Sequence, residues 1–230
     1  METCLYIITG HYGSGKTEFA LNLALRLAKE GQRPTLADLD IVNPYFCSRE
    51  RREELEAAGV RVILSAGGNA DLPALNPAVS AMLEPNAAGV MDVGGDPAGA
   101  RVLGRFAAKI RAIPHELLCV LNFNRPETAT PEKAARYLRE IERSAKLEAA
   151  GLVNNTHLCG DTAVADVLRG AELAEEVAAI TGVPVRYHAA MRPIAGGLKV
   201  SCGEVFPLDL YMKKPWEIEP TEGERTWQEK

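Results

Sequence analysis

Leu5-Tyr6-Ile7-Ile8-Thr9-Gly10-His11-Tyr12-Gly13-Ser14-Gly15-Lys16-Thr17 is the stretch whose reading decides the fold. Leu5 to Thr9 is a short, continuously apolar run, as expected of a strand buried on both faces. From Lys16 to Glu30 the apolar period changes to that of a helix. Phe19, Ala20, Leu23, Ala24 and Leu27 fall on one face, and Gly31 supplies a stop. Between the two lies Gly-x-x-x-x-Gly-Lys-Thr. Its glycines let the backbone curl until successive N–H groups point inward, and the helix start adds the positive end of its dipole. A strand, this loop and a helix in that order form the context in which the spacing captures phosphate. Gly10, His11, Tyr12, Gly13, Ser14, Gly15, Lys16 and Thr17 are therefore the expected cradle for the phosphates of ATP. Lys16 would neutralise the β and γ oxygens, and the Thr17 hydroxyl would hold Mg²⁺.

Outward from this stretch, apolar runs alternate with helical patterns. Thr35 to Ala37, Val60 to Ser65, Gly89 to Val93, Leu117 to Asn122, Ala150 to Asn154 and Val183 to Tyr187 read as buried strands. Pro131 to Ala145 reads as a helix with Thr130 as N-cap and Pro131 at its first position. Asp161 to Thr181 reads as another, stopped by Gly182. Such alternation predicts an α/β fold: a doubly wound, mostly parallel sheet with helices on both faces. One domain over residues 1–212 is expected, followed by a polar tail over residues 213–230 that carries Trp216 and Trp227 and docks lightly.

Phosphoryl chemistry also needs carboxylates for the metal shell and for the attacking group. Two candidates end predicted strands, where open α/β sheets place their ligand crevice. Asp92 closes Gly89-Val90-Met91-Asp92, and the following Gly94 and Gly95 are free to bring a backbone N–H to a terminal phosphate. Asp38-Leu39-Asp40 follows Thr35-Leu36-Ala37, and acids two apart on an extended chain point the same way.

Together the loop, the Asp38/Asp40 pair and Asp92-x-x-Gly95 resemble the MinD/ParA/CobQ-CobB group of P-loop proteins (the SIMIBI class), over Leu5 to about Ala189. That group includes the nitrogenase iron protein and ATPases that assist metal insertion. The resemblance implies a P-loop ATPase that hydrolyses ATP slowly as a nucleotide-driven switch on a partner protein. Lys16, Asp38 and Asp40 would be its catalytic residues, with Asp38 supporting the metal shell, Asp40 positioning water, and Thr17, Asp38 and Asp92 around the Mg²⁺. It further implies that Asn154 or Asn155, after the sixth strand, reads adenine. An Asn can donate and accept at once, and the Asn-Lys-x-Asp guanine signature is missing, so ATP is expected over GTP. Many members carry a second lysine five residues before the main one, which reaches across a nucleotide-dependent homodimer. His11 stands there instead, which leaves dimer-activated hydrolysis open. Dethiobiotin synthetase and the cobyrinic-acid amidation enzymes share the fold and lack that lysine. A carboxylate-activating synthetase is thus the alternative, although the sequence shows no obvious basic pocket for its carboxylate unless Arg101, Arg125 and Arg192 converge.

Bulk properties narrow the partners. With 230 residues, 47% hydrophobic and a net charge of −5, the chain has core enough for one large domain and no basic stripe for a nucleic acid. Arg49, Arg51 and Arg52, offset by Glu50, Glu53 and Glu54, read as a solvated helix start. Cys4, Cys47, Cys119, Cys159 and Cys202 never form CxxC, which is reduced usage. His157, Cys159 and His188 offer too few ligands for a closed metal site. The expected setting is the cytoplasm, with no membrane anchor. The expected ligands are ATP, Mg²⁺ and a protein partner; Asn43 to Cys47 occupies the place of a switch loop.

Overall fold

The computed structural model describes residues 3–39, 52–63, 77–84, 87–95 and 97–212. Asp40, the Asn43–Cys47 segment, Arg49, Arg51 and the 213–230 tail lie outside these residues. Eight strands form one sheet: β1 (Leu5–Gly10), β2 (Thr35–Leu39), β3 (Arg61–Ile63), β4 (Gly89–Val93), β5 (His115–Leu121), β6 (Ala149–Asn154), β7 (Val185–Met191) and β8 (Glu204–Leu208). Their order is β3-β2-β4-β1-β5-β6-β7-β8, and every described pair is parallel.

Parallel neighbours require crossovers, and helices supply them on both faces. On one face lie α1 (Lys16–Lys29) and α2 (Arg52–Ala57); on the other lie α3 (Pro77–Ala81), α4 (Pro97–Ile110), α5 (Pro131–Ala145) and α6 (Val164–Thr181), with the short α7 (Arg192–Ala195) near β8. Strand side chains alternate between the faces. Ile8 packs under α1 with Phe19, Leu23 and Leu27, while Ile7 packs with Leu103, Ile110 and Leu138 from α4 and α5. Both faces of the central strands are thus covered, which explains why they read as unbroken apolar runs rather than alternating ones.

The expected doubly wound sheet is the observed one, and the structure extends it. The eighth strand, Glu204-Val205-Phe206-Pro207-Leu208, was not expected, because Pro207 cannot donate to a ladder and argues against a strand. It lies at the edge, pairing only with β7 among the described residues, where a proline is tolerated. The helix expected from Asp161 begins at Val164, after a 3₁₀ turn at Cys159–Asp161. Arg52 does start α2 and pairs with Glu56 one turn on, at 2.8 Å.

Candidate functional site

The site lies at the carboxyl ends of β1, β2, β4, β5 and β6. The connection out of β1 leads through α1 to β2 on one side, and that out of β4 crosses through α4 to β5 on the other, so a crevice opens above β1. The loop after β1 fills the floor of that crevice. Gly13 and Gly15 have φ of 74° and 78°, left-handed values that favour glycine, and the amide of Ser14 closes a turn onto the His11 carbonyl at 2.9 Å. A β-carbon on Gly95 would fall 1.8 Å from the Gly10 carbonyl oxygen, so the strand-end loop of β4 lies directly on the phosphate loop. Only glycine permits that approach.

The acids follow from register. Asp38 and Asp92 are paired positions of β2 and β4, side by side on the face that also carries Leu36, Val90 and α1. Both are buried, and the Thr17 hydroxyl at the start of α1 donates to Asp92 Oδ2 at 2.6 Å. Lys16 is buried at the first position of the same helix. Two neighbouring carboxylates and a hydroxyl are a hard oxygen donor set, suited to Mg²⁺. Adjacent buried carboxylates also need positive charge nearby to stay ionised. The residues present therefore fit a Mg²⁺-bound triphosphate.

Other loops clamp the cradle from outside. Asn122, at the end of β5, donates to the Gly13 carbonyl at 3.1 Å and accepts from the His157 amide. Arg125 Nε also donates to Gly13 O, at 3.1 Å, and Asn155 Nδ2 donates to the Ser14 carbonyl at 2.7 Å. Asn155 thus touches the loop, whereas Asn154 is turned inward. Its Nδ2 donates to Val167 O and faces His188 Nδ1, and its Oδ1 accepts from the Thr156 amide and hydroxyl. His188 completes that buried network by bonding Cys202 O through Nε2 at 3.0 Å.

His11 does not point free into solvent. Its Nδ1 lies 3.3 Å from the Tyr12 carbonyl and 3.8 Å from Glu127 Oε2, and its ring meets Tyr137 edge-on, with centroids 5.6 Å apart. Tyr137 in turn donates its hydroxyl to the Gly95 carbonyl at 2.5 Å. His157 borders Gly15, and burial together with the Arg125 cation lowers its pKa.

The structure therefore brings together Gly10 to Thr17, Asp38, Asp92, Gly95 and Asn155, and sets Asn154 one layer behind. Sequence reasoning assigned no role to Asn122 or Tyr137; their bonds to the site span 109 and 42 residues, and no local pattern announces them. Of the three arginines considered as anion ligands, Arg125 is spent on Gly13, and Arg192 makes a two-point ion pair with Asp209. Among the described residues no group of three or more metal-ligating side chains occurs, and no helix is long and apolar enough to cross a membrane.

Neither the protein-family models nor the curated proteins contain a match to this chain. Solved structures do match. Chloroplast FtsY of Physcomitrella patens is 23% identical over 81% of this chain and 58% of its own, with a TM-score of 0.55. FtsY of Thermotoga maritima is 18% identical over 81% and 60%, with a TM-score of 0.52. The signal recognition particle 54 kDa protein of Aeropyrum pernix, solved in complex with GDP, is 23% identical over 80% and 41%, with a TM-score of 0.51. The chain spans at most 60% of the length of these structures. At such identity the likeness is one of fold alone, and it agrees with the strand order and the phosphate loop: this chain has a doubly wound, parallel P-loop fold.

Proposed function

We propose that the chain binds a purine nucleoside triphosphate with Mg²⁺, hydrolyses it slowly, and switches a partner protein between two affinities, as the resemblance to the MinD/ParA group implies. The observation that carries the reading is the Thr17–Asp92 hydrogen bond at 2.6 Å directly beneath the glycine loop. It joins the hydroxyl and carboxylate that this chemistry assigns to one Mg²⁺ shell. When bound, Mg²⁺ would be held by Thr17, Asp38 and Asp92, and would offset charge on the β and γ phosphates. Lys16 would contact the same oxygens, and the backbone N–H groups of Gly13, Gly15, Lys16 and Thr17 would hold the phosphate chain. Asp40, two residues past Asp38, is the proposed water-positioning group.

Switching follows from the packing of Gly95 on Gly10. A backbone amide so close to the loop is placed to report whether a terminal phosphate is present, and the Tyr137 hydroxyl on Gly95 O carries that report to α5. We assign ATP as the nucleotide because Asn154-Asn155-Thr156-His157 after β6 offers no carboxylate at the guanine-reading position. GDP in the Aeropyrum pernix structure is that protein's ligand. The test is a comparison of ATP and GTP turnover with and without Mg²⁺. Slow, Mg²⁺-dependent ADP formation that Lys16→Ala abolishes supports the reading. Unchanged ATP hydrolysis in Lys16→Ala overturns it, and a preference for GTP overturns the base assignment alone.

A further inference from the structure

A cleft of about 540 Å³ opens beside the phosphate loop, on the side of Gly95, between His11, the Pro126–Glu127 turn and α5. Its inner wall is the loop itself, because Gly95 rests on Gly10. The facing side of α5 presents Lys133, Arg136, Tyr137 and Glu140. Lys133 is steadied by the Pro126 carbonyl at 2.9 Å. Arg136 is exposed and makes no hydrogen bond or ion pair with any described residue, although Glu140 stands four residues on at helix-pair spacing. A cation left without a partner in a cleft next to a phosphate cradle has a ligand-binding geometry with no structural task.

His11 gives this cleft a reactive wall. With Nδ1 turned to the Tyr12 carbonyl and the Glu127 carboxylate, Nε2 is the nitrogen left to take a proton. At 3.8 Å the Glu127 carboxylate lies beyond hydrogen-bond reach, so the Tyr12 carbonyl at 3.3 Å is what orients the ring for general-base work. The ring is fixed further by the edge of Tyr137.

We propose that the cleft is an acceptor site for a small hydroxy acid, so that the terminal phosphoryl group passes to its hydroxyl rather than to water. The proposal rests on the nucleotide reading above for its donor, and goes beyond it in naming a second substrate. Lys133 and Arg136 bind the acid's carboxylate. Glu127 and Glu140 line the same cleft and limit its positive charge, so a small monoanion suits it better than the dianion of a phosphate ester. The acceptor oxygen forms the new bond to the γ phosphorus. The bond from that phosphorus to the β,γ-bridging oxygen breaks, its electron pair leaving on ADP, and the hydroxyl proton passes to His11 Nε2.

The experiment follows ADP formation by the full chain with Mg·ATP, alone and with glycolate, glycerate or glycerol 3-phosphate, and identifies products by phosphorus NMR. The expected result is a rate increase of about 10²-fold with glycolate or glycerate, the scale of general-base catalysis, together with a phosphorylated hydroxy acid. Arg136→Glu should remove the increase while calorimetric affinity for Mg·ATP stays unchanged, and His11→Asn should lower the rate at saturating acid without raising its KM. An increase with neither acid, a larger increase with glycerol 3-phosphate, or an increase that survives Arg136→Glu overturns the proposal. Failure of the nucleotide reading itself would instead show as absence of Mg·ATP binding in the same calorimetry.

Discussion

Gly95 illustrates how much rests on one missing methyl group. Its ideal β-carbon would lie 1.8 Å from a backbone oxygen of Gly10, and neither partner is the end of a flexible side chain. Gly95→Ala must therefore push the two loops apart, at a cost of about 1–3 kcal/mol in line with other overpacked sites. Denaturant unfolding should show that loss, and nucleotide affinity should fall with it. Unchanged stability and affinity would mean that the loops do not touch in solution. Lys16 acts differently, since its removal leaves the loop backbone intact. Lys16→Ala should cost about 1.5–3 kcal/mol of nucleotide binding, the worth of a charged hydrogen bond.

His188 makes a pH-dependent prediction at the same scale. It is fully buried between Asn154 and Cys202 O, and burial lowers its pKa against the opposing pull of the Cys202 carbonyl and, more weakly, of Glu175. The unfolded chain therefore binds a proton that the folded chain resists, and stability rises with pH across that window. Thermal melting should be highest above the unfolded histidine pKa of about 6.5 and should fall as the pH drops below it. His188→Gln should flatten that acid-side slope. An equal slope in the variant would assign the effect elsewhere, His157 being the other histidine whose pKa burial lowers.

Among the helices, α5 is the one whose boundaries match the sequence reading at both ends. Thr130 caps it, Pro131 opens it, and the helix ends at Ala145 as expected. The cap is a long one: the Lys133 amide reaches Thr130 Oγ1 at 3.4 Å. Thr130→Ala should therefore cost about 0.5 kcal/mol, the low end for such caps. A loss above about 2 kcal/mol in denaturant unfolding, the top of the same range, would show a stronger cap than this geometry allows. By contrast β8 was illegible, because Pro207 interrupts a run of only five residues, and its place at the sheet edge is what makes a strand there possible. The opening of α4 hides in the same way behind Pro97-Ala98-Gly99, residues that ordinarily mark a turn. Central strands such as β4, buried at every position, read plainly.

Across the whole molecule the sheet order explains why the phosphate loop was readable and its supports were not. The loop, its flanking strand and helix are contiguous, so their chemistry is a local pattern. Asp38 and Asp92 become neighbours only because β2 and β4 pair in register, and Asn122 and Arg125 reach Gly13 only because β5 lies beside β1. Because contacts from the ends of β4, β5 and β6 converge on the loop after β1, ligand binding should stabilise the domain as a unit. Mg·ATP at a hundred times its Kd should add about 2.7 kcal/mol to unfolding. A melt that ignores nucleotide would mean that the cradle is empty in function.

The most direct test of the account is titration calorimetry of the purified chain with Mg·ATP, set against Lys16→Ala. The account predicts saturable one-to-one binding by the wild type, weakened about 10- to 100-fold in the variant. Equal binding by both proteins, or heat from neither with ATP or GTP, would contradict it.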